Sequence, residues 1–187
     1  MLNLNNNNSD KMLLLSCCAP CACAVIERLK QQGQAFSVLF YNPNIHPLKE
    51  YEKRRDEQRR LCQKWDIEFI ELEYDCQRWF ACVKGYEQEP ERGKRCDICF
   101  ELRLERAMVY AKQQGYRGVA SVLGVSRWKD LAQVNRAAQR ASAKTGVAYI
   151  ELEGRKGGMQ QRRQDLIREL ELYRQDYCGC IYSKSAL

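Results

Sequence analysis

Short apolar runs alternate along this chain with longer segments of helical periodicity. The runs have the length and composition of buried strands, and they occur at residues 12–15, 36–41, 67–72, 118–125 and 147–152. Helices are predicted from Pro20 to Gly33 and over residues 48–65, 75–83, 96–114, 128–144 and 159–173. Because strands that alternate with helices pair in parallel, the pattern predicts an α/β fold with a mainly parallel, Rossmann-like (HUP-like) sheet of about five strands and helices on both faces.

The chain has the length of one ordinary domain, at 187 residues. Residues 1–11 are rich in asparagine and predict a flexible tail, whereas residues 12–187 are predicted to form a single domain. No apolar run of about 18 residues predicts a membrane helix, and residues 1–11 lack the apolar centre of a secretory signal, so a cytoplasmic location is expected. The formal net charge of +7 suits an anionic partner but does not identify one.

The notable polar and thiol residues follow the predicted strands. Cysteines follow the first strand, a loop with two prolines (residues 42–47) follows the second, Ser126 and Arg127 follow the fourth, and residues 155–158 follow the fifth. In a parallel sheet these positions meet at the carboxyl edge, where such folds bind their ligands. The sequence therefore predicts the functional site at this edge.

Eleven cysteines accompany a single histidine, His46. An odd number fits disulfide pairing poorly, and in a reducing compartment so many thiols indicate metal or redox chemistry. Residues 17–21 (CCAPC) and 96–99 (CDIC) each lie at a predicted helix start, where free N–H groups and the helix dipole stabilise thiolates. Two pairs of thiolates supply the ligands for a [4Fe–4S] cluster or a tetrahedral zinc ion, and the spacing does not choose between them.

The cysteines allow three further interpretations. Cys178 and Cys180 flank one glycine, so they are interpreted as a strained, easily reduced disulfide, as two ligands for a second iron, or as two unrelated thiols of the tail. Cys18 and Cys21 also match a thioredoxin-like redox pair, which leaves the other motif cysteines without a role. The isolated cysteines are predicted to be small buried apolar residues; these are Cys23, Cys62, Cys76 and Cys82.

The proline-containing loop and the basic residues near the strand ends are further candidates. Asn44 and His46 are predicted to face the substrate, and Glu50, Tyr51 and Arg54 to extend that wall from the next helix. Arg95 and the segment 155–158 (RKGG) are better candidates for phosphate contacts than the long charged helix, whose basic residues alternate with acidic ones.

Four motifs in this order resemble the QueH-type epoxyqueuosine reductases. They are residues 15–21 (LSCCAPC), 40–47 (FYNPNIHP), 95–99 (RCDIC) and 173–180 (YRQDYCGC). The resemblance extends from Met12 to about Ser183, with one departure: family members often carry histidine where this chain has Ser16. It implies that residues 12–187 form an iron–sulfur reductase domain. It also implies the last step of queuosine synthesis, in which the epoxide of a wobble nucleoside in tRNA becomes an alkene.

The same resemblance implies a [4Fe–4S] cluster and an additional mononuclear iron. The cluster ligands it implies are Cys17, Cys18, Cys96 and Cys99. Adjacent cysteines point in different directions, so Cys21 is an alternative to Cys17 or Cys18, and the displaced thiol is then free for a second metal.

Removing the epoxide oxygen as water takes two electrons and two protons. Cys178 and Cys180 are expected either to supply the electrons by closing to a disulfide or to hold an iron that acts as a Lewis acid. Asp97, His46 and Tyr51 are the candidate proton donors, and the electron donor is unidentified. The alternatives are a zinc-thiolate RNA-binding module without catalysis and a dithiol–disulfide oxidoreductase that uses Cys18 and Cys21.

Overall fold

A computed structural model describes the backbone of residues 8–186 and the side chains of residues 8–183. Residues 1–7 of the predicted tail lie outside the described part. The next residues contact the domain: Asn8 is buried, and its Nδ2 donates to the Gln114 carbonyl at 3.1 Å. Within the described residues, no helix combines the length and the apolar character needed to cross a bilayer.

The sheet has four parallel strands in the order β3-β2-β1-β4. The strands are β1 (Met12–Ser16), β2 (Phe36–Phe40), β3 (Phe69–Glu71) and β4 (Gly118–Ser121). This is the order of the first four strands of a Rossmann-type sheet, in which the chain reverses direction beside the first strand. The predicted parallel α/β fold is therefore confirmed.

The predicted fifth strand is reduced to a single bridge in the described structure. Tyr149 pairs with Val119, and Ile150 donates its N–H to the Val119 carbonyl at 2.8 Å. Among the described residues, no ladder continues from this bridge along β4. The expectation of about five strands thus corresponds to four strands and one bridge.

Six helices connect and cover the strands of the described chain. They are α1 (Ala19–Gln31), α2 (Leu48–Lys64), α3 (Cys76–Val83), α4 (Lys94–Gln114), α5 (Leu131–Thr145) and α6 (Met159–Glu169), followed by a 3₁₀ turn (Ile181–Ala186). Helix α1 packs against α6 and α2, whereas α4 packs against α5 and α3, and both α1 and α4 contact β1. All of β1 is buried, as expected for a strand covered on both faces.

Local signals set several helix ends. Gly115 ends α4 in the left-handed conformation at φ +73°, as its position in the sequence predicts. Helix α5 begins at Leu131, later than predicted, because the Asp130 carboxylate caps it by accepting the Ala132 N–H at 2.9 Å. Residues 122–130 are therefore a loop at the carboxyl edge, where the sequence predicted the end of a strand and the start of a helix.

Candidate metal centre

Three cysteine thiols meet where β1 passes into α1. The Sγ atoms of Cys17, Cys18 and Cys21 all lie within 4.8 Å of one another, and all three residues are buried. Cys18 is the N-cap of α1 with an extended backbone (φ −177°, ψ 155°), which brings its thiol to 3.8 Å from that of Cys17. Cys21 joins them from the first helical turn. The thiols of adjacent Cys17 and Cys18 therefore lie close enough together, with that of Cys21, to hold one metal ion.

The charges of this trio suit a metal. Hydrogen bonds from the Cys18 and Cys21 thiols hold the pKa of Cys17 well below its usual value, with further help from nearby cationic side chains. The shared Cys17 hydrogen bond and burial raise the pKa of Cys18 to about 12, and the corresponding bonds and burial raise that of Cys21. One stabilised thiolate with two neutral thiols beside it is a buried soft donor set, and metal binding would displace the remaining protons.

A second group of thiols lies beside the first turn of α4. Cys99 and Cys180 are buried in a small apolar cluster around Trp79, and Cys178 packs against it. Burial, followed by the charges of neighbouring thiols, raises the pKa of Cys96 to about 11 and that of Cys180 to about 12. Among the described residues, no three Sγ atoms of this second group all lie within 4.8 Å of one another, as those of the first trio do.

Two cationic side chains connect the sulfur groups. Burial raises the pKa of Cys99, and the guanidinium of buried Arg103 opposes this rise; the same guanidinium helps to lower the pKa of Cys17 and donates to the Asn42 Oδ1. Burial lowers the pKa of Lys129, but the charges of Cys17, Cys178 and Cys21 outweigh burial and raise it overall. Both cations thus favour thiolates in both groups.

Sequence reasoning missed these two cations. Arg103 lies four residues after Cys99 on α4, so the helical repeat places both on one face and was a signal that could have identified it. Lys129 belongs to a loop whose path the sequence did not predict.

The chain segment after α6 brings the last two cysteines to the site. Arg54 donates to the carbonyls of Tyr177 and Cys178 at 3.2 and 3.1 Å, and the N–H of His46 donates to the Gly179 carbonyl at 2.8 Å. The Gln175 Nε2 donates to the Cys18 thiol. Cys178 and Cys180 are both free thiols. Gln175 lies inside the motif 173–180 (YRQDYCGC), but its position in the sequence did not predict a contact with Cys18.

The three predicted proton donors lie in different surroundings. The His46 Nδ1 is 2.9 Å from the Asn44 carbonyl, its buried Nε2 has no partner among the described residues, and burial lowers its pKa. The Tyr51 hydroxyl donates to Glu71 at 3.2 Å, and Asp97 is 3.7 Å from the guanidinium of Arg140. Of the three, only His46 directly contacts the segment 178–180.

The isolated cysteines divide into two kinds. Cys23 and Cys62 are fully buried, as predicted, and burial raises the pKa of each to about 11. Cys76 is half-buried and Cys82 is exposed because both lie on α3, which covers the edge of the domain with only Trp79 and Val83 buried. The expectation of burial was therefore wrong for Cys76 and Cys82.

Comparison with known proteins identifies the family. The family model described as epoxyqueuosine reductase QueH matches residues 12–186. Proteins named epoxyqueuosine reductase QueH from Histophilus somni and Acinetobacter baylyi are 49% and 46% identical to this chain, over 93% and 95% of it and 72% and 82% of their own lengths. The protein of that name from Haemophilus influenzae is 47% identical over 93% of this chain and 71% of its own. The chain belongs to the epoxyqueuosine reductase QueH family.

Proposed function

We infer that this chain is an oxidoreductase that reduces epoxyqueuosine to queuosine in tRNA. The observation that carries the inference is the buried trio of Cys17, Cys18 and Cys21 at the carboxyl edge of the sheet, in a chain that matches the reductase family over residues 12–186. The site lies where the chain reverses direction between β1 and β4, which is the position that open α/β sheets use for their ligands. A cytoplasmic location is expected for an enzyme that modifies tRNA.

The cofactors that we propose are a [4Fe–4S] cluster and an additional mononuclear iron. We assign the cluster to two thiols of the trio together with Cys96 and Cys99, and the remaining thiol of the trio to the second iron. The support is the soft, buried donor set and the two cations, Lys129 and Arg103, whose charges reach both sulfur groups. When bound, a cluster supplies electrons one at a time and an iron ion supplies a Lewis acid.

The thiols of Cys178 and Cys180 match the electron balance of the reaction. Opening an epoxide to an alkene breaks two C–O bonds, consumes two electrons and two protons, and releases water. A dithiol that closes to a disulfide releases two electrons and two protons. Both residues are free thiols in the structure, so this pair would complete one turnover and then need re-reduction by an electron donor that is unidentified.

Other side chains of the site would stabilise negative charge and exchange protons. The charges of Cys17, Cys178 and Cys21 act on the ammonium of Lys129, and this cation would stabilise negative charge that develops on the epoxide oxygen. His46 is held against Gly179 by its own backbone, which makes it the best placed of the predicted donors to exchange a proton with the segment 178–180. Asp97 and Tyr51 have other partners, and a role for them stays a prediction.

The experiment is an anaerobic assay on tRNA that carries epoxyqueuosine, with protein reconstituted with iron and sulfide and a chemical reductant. Nucleoside mass spectrometry should show the loss of one oxygen atom from epoxyqueuosine. No product from fully iron-loaded protein would contradict the proposed function. Zinc with no iron or acid-labile sulfide in anaerobically purified protein would instead indicate an RNA-binding module, and turnover by metal-free protein would indicate a dithiol–disulfide oxidoreductase.

A pair of serine variants tests the separate role of the last two cysteines. Cys178→Ser should stop turnover while the visible absorbance of the cluster survives. Cys82→Ser is the matched control because Cys82 is an exposed thiol outside both sulfur groups. Loss of the cluster together with activity in Cys178→Ser would assign this residue to metal binding and contradict the redox role.

A further inference from the structure

The loop after β4 turns two neighbouring side chains in opposite directions. Lys129 points inward, with its Nζ 5.8 Å from the centre of the buried Phe100 ring. Trp128 points outward and is 80% exposed, more than any other large apolar side chain of the described residues. A large aromatic group is therefore presented to solvent one residue away from the centre of the proposed active site.

Two arginines fix the backbone of this loop. The Arg92 Nε donates to the Trp128 carbonyl at 3.0 Å, and its Nη2 donates to the Arg127 carbonyl at 3.3 Å. From the other side, Arg155 donates to the carbonyls of Gly124, Ser126 and Lys129 at 2.6 to 2.7 Å. The indole of Trp128 thus projects from a backbone that charged hydrogen bonds hold in place, so little ordering is needed when a ligand binds.

The surroundings of Trp128 carry positive charge without acidic partners. Among the described residues, no carboxylate forms an ion pair with Arg92, Arg127, Arg155 or Lys156. Arginines elsewhere on the surface are neutralised by carboxylates; examples are Arg59 with Glu71, Arg106 with Glu73 and Arg162 with Glu27. The positive charge around Trp128 is therefore free to attract a polyanion.

We propose that Trp128 stacks on an unpaired base of the tRNA anticodon loop next to the nucleoside that enters the site, while Arg127 and Lys156 contact the flanking phosphates. The proposal rests on the proposed function, since it names how that substrate is held. Proteins recognise single-stranded RNA loops by stacking splayed bases on aromatic side chains beside basic residues. When one base stacks on Trp128, the adjacent nucleotide would lie beside Lys129, which points inward.

Alanine and phenylalanine variants of Trp128 test the stacking. The probe is a synthetic anticodon stem–loop that carries epoxyqueuosine, used with iron-reconstituted protein and a chemical reductant. Trp128→Ala should raise Kd and KM about tenfold or more and leave kcat within about twofold, because the loss of one base–aromatic stack weakens binding without touching the reacting atoms. Trp128→Phe keeps an aromatic face and should retain most of the affinity. Thermal unfolding of both variants should match that of the wild type, since the side chain is exposed.

Two arginine variants test the phosphate contact. Arg127→Ala should weaken binding and reduce the slope of log K against log salt by about 0.7, as expected for one lost phosphate contact on a single strand. Arg117→Ala removes the same charge from an exposed site before β4, at the opposite edge of the sheet, and should leave both Kd and the slope unchanged. An unchanged slope in Arg127→Ala would remove this residue from the RNA contact.

The outcomes separate this inference from the proposed function. If Trp128→Ala has the same Kd and KM as the wild type, the proposed stacking is wrong even when the enzyme is fully active. A rate defect that occurs with a protein reductant and not with a chemical one would also overturn it and assign Trp128 to the docking of the electron donor. If wild-type protein binds the RNA but does not reduce it, the proposed function fails, whereas the Kd values still test the stacking.

Discussion

The Arg54 Nη1 donates a 3.1 Å hydrogen bond to the carbonyl oxygen of Cys178, across 124 residues of sequence. The same guanidinium donates to the Tyr177 carbonyl and forms an ion pair of 2.6 Å with Glu50, and its side chain is 2% exposed. One buried arginine on α2 therefore holds the segment that carries the last two cysteines. The position of these thiols depends on a charged group that takes no part in their chemistry.

Replacing Arg54 should uncouple this segment from the domain. Arg54→Met leaves the carboxylate of Glu50 largely buried without its partner, which we expect to lower the free energy of unfolding by about 3 kcal/mol and to reduce turnover. Arg55→Met is the control, because Arg55 pairs with Asp56 at the surface and such pairs contribute about 1 kcal/mol or less. Urea denaturation and the epoxyqueuosine assay measure both effects. Equal stability of the two variants would contradict the anchoring role.

Gly179 is needed for the path of the chain between Cys178 and Cys180. Its φ is +102°, and a Cβ atom there would lie 2.8 Å from the Ile45 Cγ1 and 3.2 Å from the Arg54 Nη1. Gly179→Ala should therefore displace both thiols and lower turnover about ten- to hundredfold, because small misplacements of reacting groups have effects of this size.

Gly33→Ala is the matched control for this change. Gly33 also has a positive φ (+65°), but a Cβ atom there would have no neighbour within 4 Å, so only the backbone conformation is strained. Both variants should lose about 1–2 kcal/mol of stability from that strain. Wild-type turnover in Gly179→Ala would show that the thiols do not need this path.

Much of the fold follows from local sequence signals. The four strands lie within or beside the predicted runs because a covered parallel strand is continuously apolar, and Gly115 ends α4 where a left-handed residue is needed. The predicted fifth strand is reduced to the bridge between Tyr149 and Val119. The loop over residues 122–130 has no periodic pattern that would have fixed its path.

The grouping of the thiols follows from the sequence only in part. The start of a helix placed Cys21 near Cys17 and Cys18, and the helical repeat placed Cys96 near Cys99. Which groups meet depends on side-chain directions and on the path of the chain after α6, and these are properties of packing rather than of spacing. The hydrogen bond of Gln175 to Cys18 and the effect of the Lys129 charge on the thiols arise in the same way.

Cysteine variants at the junction of β1 and α1 test which thiols hold iron. Cys17→Ala removes the stabilised thiolate and Cys21→Ala removes a second member of the trio, so both should lower the iron content and the visible absorbance of reconstituted protein. Cys23→Ala is the matched control, because Cys23 is a buried thiol on the same helix whose nearest partner is the Pro20 carbonyl at 3.6 Å. Equal iron in Cys17→Ala and Cys23→Ala would contradict a metal centre at the trio.

Metal-free protein should lose stability as the pH rises above about 8.5, the usual pKa of a thiol in an unfolded chain. Burial raises the pKa of several thiols in the folded chain; Cys62 and Cys96 reach about 11, and Cys180 reaches about 12. Between these values the unfolded state has lost thiol protons that the folded state retains, so unfolding is favoured by about 1.4 kcal/mol per pH unit for each such thiol. The lowered pKa of Cys17 acts in the opposite sense, but its stabilising effect is already complete above the unfolded pKa.

Anaerobic urea denaturation of metal-free protein between about pH 8 and 10.5 measures this loss. Cys62→Ala should make the decline shallower by one thiol, because Cys62 is fully buried and lies outside both sulfur groups. A free energy of unfolding that does not change with pH in the wild type would mean that the buried thiols do not resist ionisation. It would then contradict the interpretation that Cys18 and Cys21 are protonated beside Cys17.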